Sequence, residues 1–357
     1  MRNQLNYCGL PVIFVKKIMT ENYDNLDEQI GDLGGEKKPK LGKLKNAAAY
    51  GKQENLTESE EKSLEEFLSK NKEKEEVKIE QGWIPIEREM LGIRSIFYPA
   101  DWQFYVRPAT LQAIKSWTAI DEERPDQLNK VFNDIIRSCV KISDGSGVTV
   151  SWGNLNSWDR FWFILKVREY TFVKGESKIE FEDSCSECDT DILYHLTSDS
   201  LFYEFPDDDI VEKYWDGKAW KIDPHEYDVD HEPVTLYTPT LAKEEAIINW
   251  AIAKQRNKQK IDEQFVKYLL WMMNKPAKDE QMIDRQIQKI YKEYKSWDFE
   301  VFSFINDVIT NITINQSEKL RCTCPSCGQE ATSTVQFPNG VKVLFEVRTK
   351  AKKFGSR

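Results

Sequence analysis

The sequence has few of the features on which catalysis usually depends. Only three histidines occur among its 357 residues, which leaves little choice for a general base. The nucleophile elbow of hydrolases and the glycine fingerprint of dinucleotide-binding proteins are missing, and the stretch GDLGGEKK lacks the spacing and ending of a phosphate loop. Acidic pairs are common, but a chain with 60 Asp and Glu residues contains such pairs by chance. We therefore predict that the chain is not an enzyme.

Positive charge and long apolar runs are also scarce. The net charge of −10 disfavours nucleic acid as a partner of the whole chain, because phosphate contacts need a basic surface. The apolar stretch LPVIFVKKIM is broken by Lys16 and Lys17 and is too short to cross a bilayer. We expect no nucleic-acid partner, no membrane segment and a protein kept in a reducing cytosol. There, seven cysteines are thiols or metal ligands rather than disulfides.

Both ends of the chain are polar. Residues 1–82 have many charges and little to bury, which predicts a flexible, partly disordered N-terminal arm with one exposed helix N-capped by Thr57. The alternative is an arm that becomes ordered on a partner. Residues 349–357 predict a short basic tail.

Between these ends, several motifs occur twice. The Ser-Trp-Asp motif at 157–159 recurs at 296–298, and the pair Cys185 and Cys188 recurs as Cys324 and Cys327, both with an offset of 139 residues. Upstream, Ala-Ile-x-x-Trp at 113–117 matches 246–250 with an offset of 133. Matches that keep their order with so little drift indicate a duplicated unit with one short insertion.

The apolar pattern predicts helices followed by strands in each unit. Helical spacing at 128–140, at 261–273 and at 282–294 predicts amphipathic helices that pack in the core. After a further helix, N-capped by Ser157 or Ser296, the period changes to two. This predicts a hairpin in FVKGESKIEF that turns near Gly175, and a strand, turn and strand after each cysteine pair, with Asn339-Gly340 as the second turn.

We therefore predict an α+β fold with two tandem related units. Each unit is a small helical bundle followed by β-hairpins with a Cys-x-x-Cys turn, and a flexible N-terminal arm precedes them. The predicted boundaries are 83–210 for the first unit, 211–236 for a linker hairpin with a Gly turn, and 237–348 for the second unit.

The two cysteine turns predict a metal site. A Cys-x-x-Cys turn directs two thiolates at one ion, and a structural zinc site needs four ligands in a tetrahedron. If the two units pack about a pseudo-twofold axis, Cys185, Cys188, Cys324 and Cys327 form one zinc site that joins them. In CPSCG, Pro325 restrains the second turn and Gly328 permits a positive φ after the last ligand.

Three alternatives stay open for the cysteines. Each turn can bind its own zinc, with Cys322 as a further ligand in the second unit and Asp183, Asp189 or His195 in the first. The pairs can also be buried thiols without a metal. A redox role is disfavoured, because redox Cys-x-x-Cys motifs usually begin a helix, whereas these lie among strands.

A weaker candidate site lies in the predicted linker. His225, Asp228, Asp230 and His231 form a His/Asp cluster, which suits either a solvated acidic loop or the metal site of a zinc hydrolase.

The stretch RSIFYPADWQFYVRPATLQAI, followed by helices and the two cysteine turns, resembles a known family. Tyr98-Pro99, Val106-Arg107-Pro108 and Thr110, together with the late pair Cys324 and Cys327, resemble baseplate-hub assembly proteins of T-even-like contractile-tailed bacteriophages. This resemblance implies a non-enzymatic role at the end of the tail tube.

The leading hypothesis is a structural or assembly component of a phage tail baseplate hub that acts by protein–protein binding. The resemblance implies other tail baseplate proteins as partners, with homo-oligomers as an option, and a location in the virion tail baseplate after assembly in the host cytoplasm. Large aromatic residues such as Trp83, Trp102 and Trp220 are candidate anchors for these partners. The alternative hypothesis is a zinc-ribbon regulator that binds nucleic acid.

Overall fold

The computed structural model describes residues 82–93, 95–122, 124–172, 179–316, 319–335, 337 and 340–346 of the chain. Residues 1–81 of the predicted arm, the predicted turn at Gly175 and the basic tail lie outside these ranges. The described residues form a mixed helix-and-strand structure, which agrees with the predicted α+β class. In this part of the chain, none of the helices has the length and apolar character that crossing a bilayer requires.

Helices make up the larger part of the regular structure. The α-helices are α1 (Leu111–Thr118), α2 (Pro125–Cys139), α3 (Arg160–Thr171), α4 (Asp208–Tyr214), α5 (Leu241–Arg256), α6 (Glu263–Met272), α7 (Glu280–Ser296) and α8 (Phe299–Ile312). The strands are β1 (Ile84–Ile86), β2 (Gln103–Val106), β3 (Val140–Ser143), β4 (Thr149–Val150), β5 (Ile179–Ser184), β6 (Asp191–Leu196), β7 (Tyr203–Glu204), β8 (Trp220–Ile222), β9 (Val234–Leu236), β10 (Asn315–Gln316), β11 (Lys319–Thr323) and β12 (Glu330–Thr334).

The sheets are small and antiparallel. β1 to β4 form one sheet in chain order, and the pairs β5–β6, β8–β9 and β11–β12 form separate hairpins. β5 pairs with β6 across the first cysteine turn, and so not within a hairpin in FVKGESKIEF as predicted. β7 pairs with β10, which joins the two halves of the chain.

The main hydrophobic core contains residues from both predicted units. Trp117 of α1 is fully buried and stacks on Phe132 of α2, with ring centroids 4.9 Å apart. Its indole N–H donates to the backbone carbonyl of Val341 at 3.0 Å, and the ring of Phe345 packs edge-on against it. The last described residues therefore pack on the first helices, and the core closes over a long sequence separation.

A second, smaller core lies between α5, α6 and α7. Apolar residues at helical spacing from all three helices meet there, as the periodicity predicts; they are Ile247, Phe265, Val266, Leu269, Met273, Ile287 and Ile290.

The two serines predicted as N-caps do not cap their helices. α8 is capped by Asp298, whose side chain accepts a hydrogen bond from the N–H of Val301 at 2.9 Å. At the matching position, Ser157 lies in a 3₁₀ turn ahead of α3, and the side chain of Asp159 makes no capping bond. Sequence reasoning placed these caps two residues too early.

The buried carboxylate of Asp159 has distant partners instead. It accepts hydrogen bonds from the backbone N–H of Ile93 at 2.8 Å and from the hydroxyl of Tyr98 at 2.7 Å. Burial raises the pKa of Asp159 to about 7, because a charged carboxylate loses its hydration there.

The strand predicted after Asn339-Gly340 is wrong. Val341–Leu344 forms a 3₁₀ helix. The carboxylate of Glu122 accepts hydrogen bonds from the N–H groups of Val341 and Lys342 at 3.0 Å each. Because these two N–H groups point at one carboxylate, they cannot donate to a neighbouring strand.

The predicted linker contains the expected glycine turn, but it does not expose Trp220. Trp215 and Trp220 pair across a turn in which Gly217 has φ of 88°. Trp220 is 0% exposed, so its prediction as a partner anchor is wrong. Trp83 and Trp102 are half-buried.

Candidate metal centre

The first cysteine turn connects β5 to β6. The N–H of Cys185 donates to the carbonyl of Thr190 at 2.9 Å, and the N–H of Asp189 donates to the carbonyl of Cys185 at 2.9 Å. Asp189 has φ of 54°, in the left-handed region. The chain therefore reverses tightly around Cys185 and Cys188 and directs both side chains to one side.

The second turn, between β11 and β12, repeats this geometry. The N–H of Cys324 donates to the carbonyl of Gln329 at 2.8 Å, and the N–H of Gly328 donates to the carbonyl of Cys324 at 3.0 Å. Gly328 has φ of 73°, which agrees with the positive φ that the sequence predicts. Since glycine adopts this φ without strain, the second turn has the residue that the first one lacks.

The two hairpins also share their register. Ser184 pairs with Asp191 at the end of the first hairpin, and Thr323 pairs with Glu330 at the end of the second. Each strand end is 139 residues from its counterpart, the same offset that separates the cysteine pairs.

The structure brings the four predicted ligands together. Sγ of Cys185 lies 3.7 Å from Sγ of Cys327, and Sγ of Cys188 lies 3.6 Å from Sγ of Cys324. All four sulfur atoms lie within 4.8 Å of one another. Cys185 and Cys324 are buried whereas Cys188 and Cys327 are exposed, so each turn contributes one inner and one outer sulfur.

These positions fit the ligand set of a metal ion. A zinc–sulfur bond of about 2.3 Å in a regular tetrahedron separates neighbouring sulfurs by roughly 3.8 Å. The two cross-turn distances of 3.6 and 3.7 Å are close to that edge and well beyond the length of a disulfide bond. Four thiolates are a soft donor set that suits zinc better than magnesium or calcium.

The electrostatics of the cluster favour a cation at its centre. Hydrogen bonds from the side chain and backbone of Thr190 lower the pKa of Cys188 to about 6. The backbone at Gln329 lowers the pKa of Cys327, but burial and the neighbouring thiols outweigh it and raise this pKa to about 12. One thiolate thus opposes the ionisation of the next, and a divalent cation would remove that conflict.

The residues that the separate-site alternative needs lie elsewhere. Among the described residues, the only metal-ligating group of three or more side chains consists of the four cysteines. Cys322 is near Tyr194, and burial followed by the charge of Cys322 raises the pKa of that phenol to about 12. His195 Nδ1 faces Glu180 at 3.5 Å, and Asp189 is a turn residue.

The His/Asp cluster of the linker does not converge on one point. His225 Nδ1 lies 3.0 Å from Asp223 and its Nε2 lies 3.8 Å from Asp230. His231 Nδ1 lies instead 2.8 Å from the backbone carbonyl of Glu232. The side chains of His225 and Asp230 are exposed, which suits a solvated loop better than a hydrolase site.

Sequence reasoning missed one residue that supports the cluster. The hydroxyl of Thr190 lies 3.3 Å from Sγ of Cys188 and fixes the orientation of that side chain. Its position two residues after the second cysteine is the only local signal, and the matching position of the second turn is Gln329, which has no hydroxyl.

Comparison with known proteins adds the family. The family described as T4 bacteriophage base plate protein matches residues 98–346. This match covers both cysteine turns, all eight α-helices and the strands from β2 onwards. No curated protein and no solved structure matches the chain.

Proposed function

The chain belongs to the T4 bacteriophage base plate protein family, and from this premise we propose that it is a structural or assembly component of the baseplate hub whose two halves are joined by a structural zinc ion. It acts by binding other tail baseplate proteins rather than by catalysis. The location that follows is the virion tail baseplate, after assembly in the host cytoplasm.

The convergence of the four cysteine sulfurs is the observation that supports the zinc part of this proposal. Cys185, Cys188, Cys324 and Cys327 would hold the ion and fill all four positions of a tetrahedron. A closed site of this kind stabilises a fold, because it keeps no position for water or substrate. The ion would connect two hairpins that do not share a sheet, and it would add its binding free energy to the folded state.

The nucleic-acid alternative is disfavoured by the charge around the first turn. Residues 179–191 contain six acidic residues, which are Glu180, Glu182, Asp183, Glu187, Asp189 and Asp191, and no Lys or Arg. A hairpin with this charge repels phosphate, whereas the recognition surface of a nucleic-acid-binding zinc ribbon has to be basic.

Metal content tests the zinc proposal. We expect one zinc per purified chain, and we expect Cys185→Ser and Cys324→Ser each to lose it, because both residues hold the same ion. Cys322→Ser is the matched control and should keep the zinc. Two zinc ions per chain, with one lost in each variant, would contradict the shared site, and a metal-free wild type would contradict any site.

Association with tails tests the baseplate role. The purified chain should bind tail intermediates isolated from a phage that lacks this protein, and it should restore their maturation. A chain that stays free of every tail intermediate would refute the proposal, whatever its metal content.

A further inference from the structure

We infer that a second surface, built around Tyr227 and Trp215, docks a tail partner whose contact face is basic with an apolar centre. This inference rests on the proposed function and names the surface through which it operates. The surface, here called the aromatic ridge, consists of Ile96, Tyr214, Trp215, Tyr227 and Phe304.

The members of the ridge form one chain of contacts. The indole N–H of Trp215 donates to the carbonyl of Ile96 at 3.2 Å. Tyr214 follows directly in sequence, and its hydroxyl hydrogen-bonds the hydroxyl of Tyr227. The ring of Tyr227 in turn lies 5.2 Å from the ring of Phe304 on α8. Segments that are distant in the sequence thus place large side chains side by side at the surface.

Two of these side chains are unusually exposed for their type. Ile96 is 44% exposed and Tyr227 is 48% exposed, while Tyr214, Trp215 and Phe304 are half-buried. Tyrosine and tryptophan are enriched among the residues that dominate binding energy, because they combine a large apolar area with a polar group.

The ridge is also held in place from below. The ring of Trp215 packs on the buried rings of Phe97 at 5.3 Å and Trp220 at 5.2 Å. Lys213 lies 4.7 Å over the ring of Tyr214 and forms an ion pair with Glu226 at 2.7 Å. Because these side chains are already ordered, a partner would lose little conformational entropy on binding them.

The charge around the ridge defines the partner. Residues 207–232 contain ten Asp and Glu residues but only three Lys, at 213, 218 and 221. One of these lysines is already paired with Glu226. An acidic rim accelerates association with a basic surface and opposes an acidic one. A symmetric contact between two copies would place two such rims face to face, so a second copy of this chain does not fit.

The experiment measures binding of the zinc-loaded chain to tail intermediates isolated from a phage that lacks it. Tyr227→Ala should weaken binding by at least about 30-fold, as expected for a central aromatic anchor. Asp230→Lys combined with Glu232→Lys should slow association about tenfold or more at low salt, and the difference from wild type should shrink at 0.5 M salt. The controls are Leu193→Ala, at 45% exposure in the wild type, and Glu182→Lys; both lie on the β5–β6 hairpin and should bind normally.

Each outcome has one interpretation. Normal binding by Tyr227→Ala and by the charge-reversed chain, with circular dichroism showing that both are folded, overturns the ridge and leaves the baseplate role intact. A larger loss in the two hairpin controls also overturns it. Failure of the wild type to bind refutes the baseplate role itself. Cross-linking from position 227 should reach a lysine- or arginine-rich face of a tail protein, and a cross-link to a second copy or to an acidic face overturns the assigned partner.

Discussion

Replacing Glu244 with glutamine is expected to destabilise the protein by about 3–5 kcal/mol. Arg160 Nη1 lies 2.9 Å from Glu244 Oε2, and the two side chains are only 5% and 4% exposed. At an effective dielectric constant of about 20, unit charges at this distance attract by about 6 kcal/mol. Most of this attraction offsets the cost of removing both charges from water, so the loss of one partner leaves Arg160 as an uncompensated buried charge.

Thermal unfolding followed by circular dichroism measures this loss. In a chain of this size, about 1 kcal/mol changes Tm by roughly 2 °C, so Glu244→Gln should lower Tm by roughly 6–10 °C. The neighbouring residue provides the control, because Glu245 pairs with Arg137 at 3.5 Å with both side chains well exposed. Glu245→Gln should change the free energy of unfolding by less than about 1 kcal/mol.

A double variant separates the ion pair from simple packing. Arg160→Met combined with Glu244→Leu removes both charges and keeps most of the volume, so it should recover much of the stability that either single change loses. If the single changes cost no more than the Glu245 control, or if the double variant costs the sum of the two, the buried pair does not act as argued here.

Three further predictions concern single residues. Since burial raises the pKa of Asp159 to about 7, its stabilising contribution is complete below about pH 4 and is lost as the pH rises through 7; the wild type should therefore lose stability relative to Asp159→Asn between pH 5 and pH 8 in urea titrations. Asp189→Gly relieves a φ of 54° and should stabilise the zinc-loaded protein by about 0.5–1 kcal/mol, whereas Gly328→Ala should lower its Tm. Glu122→Ala removes an acceptor from the N–H of Val341 and should cost about 1–3 kcal/mol; unchanged proteolysis near residue 341 would contradict this.

The helices were predictable because their signals are local. Apolar residues at 3.6-residue spacing predicted α2 and α6, and the residues that form those stripes, including Phe132 and Leu269, are buried. The turn at Gly217 and the positive φ of Gly328 likewise depend on a few neighbouring residues. Where short-range chemistry determines the conformation, the sequence was sufficient.

The errors occur where distant partners compete with local preference. Asp159 leaves the helix start because Ile93 and Tyr98 donate to it. Residues 341–344 form a 3₁₀ helix rather than a strand because Glu122 accepts from two of their N–H groups. No local pattern announces such partners, since each of them lies at least about 60 residues away.

The candidate metal site falls between these two cases. Each Cys-x-x-Cys turn is visible in the sequence, but its four-residue pattern does not say which other ligands complete the tetrahedron. The equal offset of the two pairs supplied that information, because two copies of one hairpin can present their turns to a common point. The supporting hydroxyl of Thr190 was missed because it belongs to only one of the two copies.

On the tandem-unit hypothesis, a shared metal also explains where the two halves have kept their lengths. α3 and α8 begin 139 residues apart, and so do the ends of β5 and β11 and the cysteines themselves. Upstream the offset falls to 133, and β3 and β4 in the first half stand where the second half has α7. Four sulfurs can hold one ion only if their positions agree to within a few tenths of an ångström. An insertion between helix and turn would draw one cysteine pair away from the other, whereas an insertion further upstream leaves both turns in place.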